Sequence, residues 1–414
     1  MENFFILYDG FTEWKKLLPI TFTRPISEIR LGIFTIKERW KKYLRRKAFV
    51  FTLPFLSKKY GKMNIINEEL KDVLFINSSF IPNEELIQLI FKLNSNEAIL
   101  FNKKIVAIRK DFFPIESYST TIMHIENMHA LKKVYYINKI LEIQYPWDLF
   151  LKNEIVLNQD FFFLTKGRKS FSLFGNNHIL SKKSIFLEED MIAENIVLNA
   201  KLGPIYIDTG VQIMEGTIIK GPVAICNSSI LNMGTRIYGA TTIGPFCKVG
   251  GEIMNSIILS YSNKAHDGFL GNTILGEWCN LGAGTNISNL RNDYSNVSIW
   301  DYEKKIFLPV NLQFLGMIMG DYSKSSINTQ FNTGTMVGVN ANVFGYGFPP
   351  RNIPSFSFGG IQDRKTIPFQ KVCEMADMIM KRRKISFSIL EKDILKHLYT
   401  SIDKDITFFK EEIK

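Results

Sequence analysis

The chain has 414 residues and a formal charge of +11, with 46% hydrophobic and 22% charged residues. That length exceeds what one hydrophobic core ordinarily serves, so two domains are expected, and the apolar content excludes a mostly disordered chain. Lysine and arginine are scattered, as in KKYLRRK and KRRK, rather than gathered into one tract with interleaved aromatics, so the positive balance points to phosphorylated small molecules and away from nucleic acid.

At the N-terminus, MENFFILYDGFTEWKK carries an apolar run too short for a signal peptide and meets Asp9 at once. No later stretch reaches the ~18 uncharged apolar residues of a membrane span, so a cytoplasmic protein without membrane association is expected. Residues 1–183 read as α/β material. FFILY, DVLFIN and KIVAIR suit short strands, and the spacing of Ile29, Ile33, Ile36, Trp40 and Leu44 predicts one helical face. Strands alternating with helices imply a mainly parallel sheet.

Residues 184–360 follow another rule. Ile207, Ile213, Ile219, Ile225, Leu231, Ile237, Ile243 and Val249 stand six apart without a miss, a period that neither a helix nor an alternating strand produces. Glycines such as Gly210, Gly216, Gly234 and Gly244 recur between them, as suits a chain that turns a corner after each short strand. The period is that of a parallel β-helix of hexapeptide repeats, in which about eighteen residues make one triangular coil and each aliphatic stacks on its equivalent one coil above. The strict register breaks at Asn255 and resumes with Leu275, Leu281 and Ile287, then with Phe331, Val337 and Val343. Between them, an excursion near 290–312 reads as a loop or hairpin thrown out from the coil. Residues 361–414 read as one or two helices that cover the open end of the coil. The four cysteines form no C-x-x-C pair, so neither a zinc site nor a disulfide framework is expected.

Within the coil, HDGFLGNTILGEWCNLGAGTNISN (266–289) holds the one histidine between Gly203 and Gly360. This block resembles the acetyltransferase half of the bifunctional N-acetylglucosamine-1-phosphate uridyltransferase and glucosamine-1-phosphate N-acetyltransferase family. A shorter variant of that family carries text similar to LLPITFTRPISEIRLGIFTIKERW, PWDLF, TKGRKS, IYGATTIGPFCKVGGE and YSNKAHDGFLGN, in this order over about residues 1 to 400. The resemblance implies a sugar-nucleotidyltransferase-like α/β domain followed by a left-handed parallel β-helix. It further implies acetyl-CoA as co-substrate and a homotrimer with each active site between neighbouring coils. By the same resemblance His266 is the general base, while Asn280 and Asn289 bind and orient the substrate.

The chemistry suits those residue types. Acetyl transfer to an amine needs a group that takes a proton near neutral pH, and an imidazole with an ordinary pKa of about 6.5 does so. The oxyanion formed on the thioester carbonyl needs fixed N–H donors, which the backbone of Gly282, Ala283 and Gly284 would offer; these residues also suit tight corners, and one residue can serve both ends. The sequence departs from the family where its enzymes grip the sugar phosphate. Those lysine and arginine positions fall near Met254 and Tyr238, leaving Arg236, Lys248 and Lys264 as replacements, and Phe269 stands where the family has tyrosine.

For the N-terminal half the resemblance implies uridylyl transfer from UTP with Mg2+. YDGFTEWKKLLPITFTRP offers no glycine-rich phosphate loop. Asp9, Lys15, Lys16 and Arg24 are the candidate nucleotide contacts, against the alternative of ordinary surface charge, and Asp9 is the nearest carboxylate for a metal whose full ligand set stays unknown. Two other readings remain open: a protein with one active half, its N-terminal domain a sugar-nucleotide sensor or scaffold, and a non-catalytic trimeric binding module. A carbonic anhydrase on the same coil is disfavoured, since its metal needs three histidines and the coil has one.

Overall fold

The computed structural model describes residues 4–61, 69–114, 117–126, 131–360 and 364–401. Contacts divide the chain into two units: the described parts of 1–29, 34–144 and 388–414, and those of 30–33 and 145–387.

The first unit is built on β1 (Phe4–Tyr8), α1 (Phe11–Lys16), α2 (Ile36–Leu44), β2 (Lys47–Phe51), α3 (Pro54–Tyr60), β3 (Glu69–Asn77), α4 (Glu84–Phe91), β4 (Glu97–Phe101), β5 (Lys104–Pro114), α5 (Tyr118–Glu126) and β6 (Lys132–Tyr135). Its six-stranded sheet has the order β2-β1-β3-β5-β4-β6. β1 pairs in parallel with β2 and β3, and β4 with β6, while β5 runs antiparallel to both its neighbours. FFILY is apolar without alternation because its Phe5, Ile6, Leu7 and Tyr8 are all buried in the middle of the sheet. The helical face drawn from Ile29 begins only at Ile36. Thr35 accepts from the Glu38 amide while the Glu38 carboxylate accepts from the Thr35 amide, a capping box that fixes the start there. Ile29 and Ile33 are buried all the same, but outside the helix.

The second unit is a parallel β-helix. Three sheets form its faces, with eight strands from His178–Leu180 onward, nine from Ile185–Leu187 onward and ten from Ile192–Ala193 onward. The eight aliphatics of the six-residue series are each at most 3% exposed and separate into three columns. On the second face Ile207 pairs with Ile225, Ile225 with Ile243, Ile243 with Ile258 and Ile258 with Leu275. On the third face Ile213 pairs with Leu231, Leu231 with Val249, and Val249 with Lys264. Burying each aliphatic contributes about 1.5–3 kcal/mol, so the stacked columns outweigh local preferences along the chain.

The break in period comes from shortened corners. Val249 and Lys264 are partners fifteen positions apart, where eighteen separate Leu231 from Val249. Gly250 and Gly251 permit that tightening: a Cβ on Gly251 would lie 2.8 Å from the His266 carbonyl oxygen, and Gly251 has φ 73°. A second corner carries stacked rings. Phe246, Tyr261, Trp278 and Tyr322 succeed one another with centroids 5.0, 4.1 and 6.5 Å apart, all with φ between 58° and 64°, a backbone region in which side chains of this size are seldom found.

α6 (Asp148–Thr165) belongs to this unit through a buried polar clamp: Asn153 accepts from the Gly32 amide (2.8 Å) and donates to the Ala240 carbonyl (2.8 Å), and Asp160 accepts from the Ile33 amide (2.8 Å). The excursion is an antiparallel hairpin of β7 (Ser298–Asp301) and β8 (Ile306–Pro309). α7 (Phe369–Lys381) stays with the coil, and Arg383 just beyond it donates to Asn263 Oδ1 at 3.0 Å. α8 (Ile389–Ser401) belongs to the first unit. Its Glu391 pairs with Lys59 at 3.3 Å, and the His397 ring stacks on Phe55 at 4.3 Å.

Among the described residues no helix is long and apolar enough to cross a membrane, and no group of three or more His, Cys, Asp or Glu is placed to hold a metal ion.

Candidate functional site

The turn that carries His266 joins the third face to the first, between the strands Asn263–Lys264 and Phe269–Gly271. Its main chain is held from three directions. The Ala265 carbonyl accepts from Asn232 Nδ2 (2.7 Å), the His266 carbonyl from Lys264 Nζ, and the Asp267 carbonyl from the Gly284 amide (3.1 Å). The His266 side chain itself is exposed. A backbone fixed at three successive carbonyls under a solvent-facing imidazole lets the ring meet a ligand without a loop having to order first. Asn232, Gly250 and Gly251 were not singled out from the sequence. Only the coil geometry, which stacks residues fifteen to eighteen apart, reveals them.

Asn280 is exposed on the third face, where its Oδ1 accepts from Asn263 Nδ2 at 3.3 Å. Asn289 lies at the far end of the first face, half-buried, donating to Asn272 Oδ1 at 2.7 Å. Between His266 and Asn289 the Phe269 ring covers Gly271: a Cβ there would meet both the ring (2.5 Å) and Asn289 Nδ2 (2.8 Å). Asn272 also lines a cavity of about 420 Å3, with Leu151, Met254, Asn255, Asn311, Leu312, Gln313 and Phe314 as its other walls. No charged residue lines it.

Two expectations about the coil change. Lys264 is 1% exposed and occupies an inward slot of the third face, partner to Val249; its ammonium donates to the carbonyls of Gly250 (3.2 Å) and His266, so it faces the core rather than a ligand. Burial pulls its pKa down to about 8. The amides of Gly282 and Gly284 donate to the carbonyls of Ser325 (3.1 Å) and Asp267 (3.1 Å), which removes two of the three proposed oxyanion donors; these glycines act as corners. Arg236 is exposed on the first face, loosely paired with Glu252 at 3.8 Å, and Glu252 accepts from the Tyr238 hydroxyl at 2.6 Å.

In the first unit, Asp9 ends β1 and is fully buried. Its Oδ2 accepts from Thr52 Oγ1 (2.7 Å) and the Ile26 amide (3.2 Å). Burial raises this carboxyl to about 7. A carboxyl sealed from solvent on every side does not fit a magnesium ligand, since that ion keeps several of its waters. Lys15 and Arg24 are also buried, Lys15 with its ammonium 5.4 Å from the Phe11 ring; of the four residues only Lys16 is exposed. The sequence had not pointed to Glu13 and Glu126, whose carboxylates flank Gly10; burial, helped by Glu13, pushes the Glu126 carboxyl up. In TKGRKS, Arg168 makes a bidentate pair with Glu188 (2.8 and 2.7 Å), so the segment is a junction.

The chain thus joins an α/β domain to a parallel β-helix, and over parts of its length it is similar to sugar nucleotidyl transferases and to bifunctional sugar-phosphate transferases. The model of the sugar nucleotidyl transferase family matches residues 5–169. The chain is 31% identical over 137 residues to the bifunctional protein GlmU of Methanocaldococcus jannaschii, covering 33% of this chain and 32% of that protein. It is 26% identical over 301 residues to GlmU of Methanococcus aeolicus, covering 67% of this chain and 66% of the relative. With a bifunctional sugar-1-phosphate nucleotidylyltransferase/acetyltransferase of Sulfurisphaera tokodaii it shares 25% identity over 304 residues, 73% of this chain and 68% of that one. The matched regions thus span about a third of the first relative and just under two thirds of the second. Among solved structures, a hexapeptide transferase family protein from Anaplasma phagocytophilum aligns with 57% of this chain and 92% of its own at 14% identity, with a TM-score of 0.19.

Proposed function

We propose that the coil transfers an acetyl group from acetyl-CoA to the amine of glucosamine 1-phosphate, with His266 as general base and Asn280 and Asn289 orienting the reactants. The reading rests above all on the His266 turn, an exposed imidazole on a main chain fixed at three carbonyls, set in a motif similar to that of bifunctional acetyltransferases. The imidazole takes the proton from the attacking amine as its nitrogen bonds to the thioester carbon; the tetrahedral intermediate collapses, and CoA leaves as thiolate. Asn289, held by Asn272 beside the uncharged cavity, offers the acceptor sugar carboxamide contacts. The phosphate would meet Arg236 and Lys248, which are exposed. In this proposal the protein works as a cytoplasmic homotrimer, with a neighbouring coil completing each site.

For the first unit the corresponding proposal is uridylyl transfer from UTP to N-acetylglucosamine 1-phosphate. The burial of Asp9, Lys15 and Arg24 favours the second reading, in which the coil alone is catalytic and the α/β domain senses or scaffolds. Two assays on the full chain separate these. Acetyl-CoA and glucosamine 1-phosphate with a thiol reagent should release CoA, and His266→Ala should stop the release. UTP and N-acetylglucosamine 1-phosphate with Mg2+ should yield pyrophosphate if the first unit is active, and none if it is not.

A further inference from the structure

The third face of the coil stacks Ile213, Leu231 and Val249 inward, and the next slot in that column is a lysine. A lysine with 1% exposure in an aliphatic column costs stability, because an ammonium must leave water. Its replacement by a hydrocarbon would serve the column better, so the cost calls for a compensating use.

The side chain shows one. Nζ reaches the corner from inside and donates to two main-chain carbonyls, Gly250 at 3.2 Å in the coil below and His266 in its own coil. The Lys264 carbonyl in turn accepts from the Gly250 amide at 2.7 Å. The two corners are thereby tied together just where the chain is shortest. The outside of the same turn is held by Asn232 and Gly284, which take the carbonyls on either side of that of His266. Asn232 thus holds the peptide before His266, and Lys264 takes the carbonyl of His266 itself.

We propose that Lys264 is a positioning residue for acetyl transfer: it fixes the His266 peptide from within the prism, so that the imidazole leaves the surface in one direction, and it touches no substrate. The proposal rests on the reading of His266 as the base. Both ties are hydrogen bonds to carbonyls, which a neutral amine can also donate, so the role does not require the charge.

Lys264→Met keeps the length and apolar stem, removes both ties and relieves the buried charge. It should fold at least as stably as the parent, with an equal or higher melting temperature. Its kcat for acetyl transfer should nevertheless fall about 10- to 100-fold, the usual penalty for loosening a reacting group by about an ångström. The KM for acetyl-CoA should stay within about twofold, since substrate binding is unchanged. Lys264→Gln, which retains an amide donor, should recover part of the lost kcat. A Lys264→Met enzyme with the parent's kcat, while His266→Ala is inactive, overturns the positioning role and leaves the base assignment standing. A lower melting temperature in Lys264→Met with no recovery in Lys264→Gln overturns it as well, since that is what a merely structural residue would give. Full activity in His266→Ala overturns the functional reading first, and the inference with it.

Discussion

In the coil, an enclosed lysine and an exposed histidine lie two positions apart on one turn; in the first unit, Asp9 after β1, Lys15 in α1 and Arg24 beyond it are each enclosed. The difference follows from architecture. Each coil of a β-helix alternates inward slots with corners, so a buried anchor and a solvent-facing group can adjoin, whereas Asp9 at the end of β1 is sealed by the packing around it. The lesson is that the coil leaves its candidate imidazole open to solvent, whereas Asp9, Lys15 and Arg24 would have to be uncovered to meet a ligand.

The sharpest way to break this comparison is kinetic. His266→Ala should lower acetyl transfer about 10²- to 10⁴-fold, read as CoA release, while Asp9→Asn should change acetyl transfer not at all. If Asp9→Asn also abolished pyrophosphate release from UTP, the enclosed acid would be reached by substrate and the contrast would fail. Next in size is packing. Ile243→Ala, in a column with 0% exposure, should cost about 2–5 kcal/mol in denaturant unfolding of the coil.

The two enclosed ionisable groups predict opposite slopes with pH. Asp9 is raised from 3.8 to about 7, so the folded state holds the extra proton between those values, and the stability of the first unit falls as pH rises from about 4 to 7. Asp9→Asn should flatten that slope and stabilise by a few kcal/mol above pH 7, as followed by thermal unfolding across pH. Lys264 is lowered from 10.5 to about 8, so the unfolded state holds the extra proton and stability rises as pH goes from about 8 to 10.5. The advantage of Lys264→Met at pH 7, about 1–3 kcal/mol, should therefore shrink above pH 10. Smallest is the partly exposed Lys59–Glu391 pair, 3.3 Å apart, where Lys59→Ala should cost under about 1 kcal/mol in unfolding and reduce further in high salt.

The coil was legible in the sequence because one side chain in six must be aliphatic wherever three faces close on a core, and a period survives without knowledge of what pairs with what. Partner identity did not survive. The pairing of Val249 with Lys264 depends on corners shortened at Gly250 and Gly251, so the lysine read as a surface cation when it fills an aliphatic slot. The same blindness applies to Asp9 and Arg24: charge suggests exposure, and nothing local states that α/β packing will cover them. The run from Ile29 to Leu44 matched a helical face because buried turn residues and a helix happened to share one spacing, and only the cap at Thr35 divides them. α8 carried no signal of its destination, since an amphipathic helix reports that it has an apolar face and not which surface receives it.

The hairpin bears on how such a molecule can change. Ile274 pairs with Ile318 and Leu275 with Met319, so the chain leaves after Ile287 and returns to the next rung as though nothing had intervened. A segment whose two ends already sit one rung apart can lengthen, shorten or be exchanged with little closure penalty. The prism thus acts as a fixed spine on which a side arm next to the carboxamide-lined cavity can be refitted without renegotiating the core.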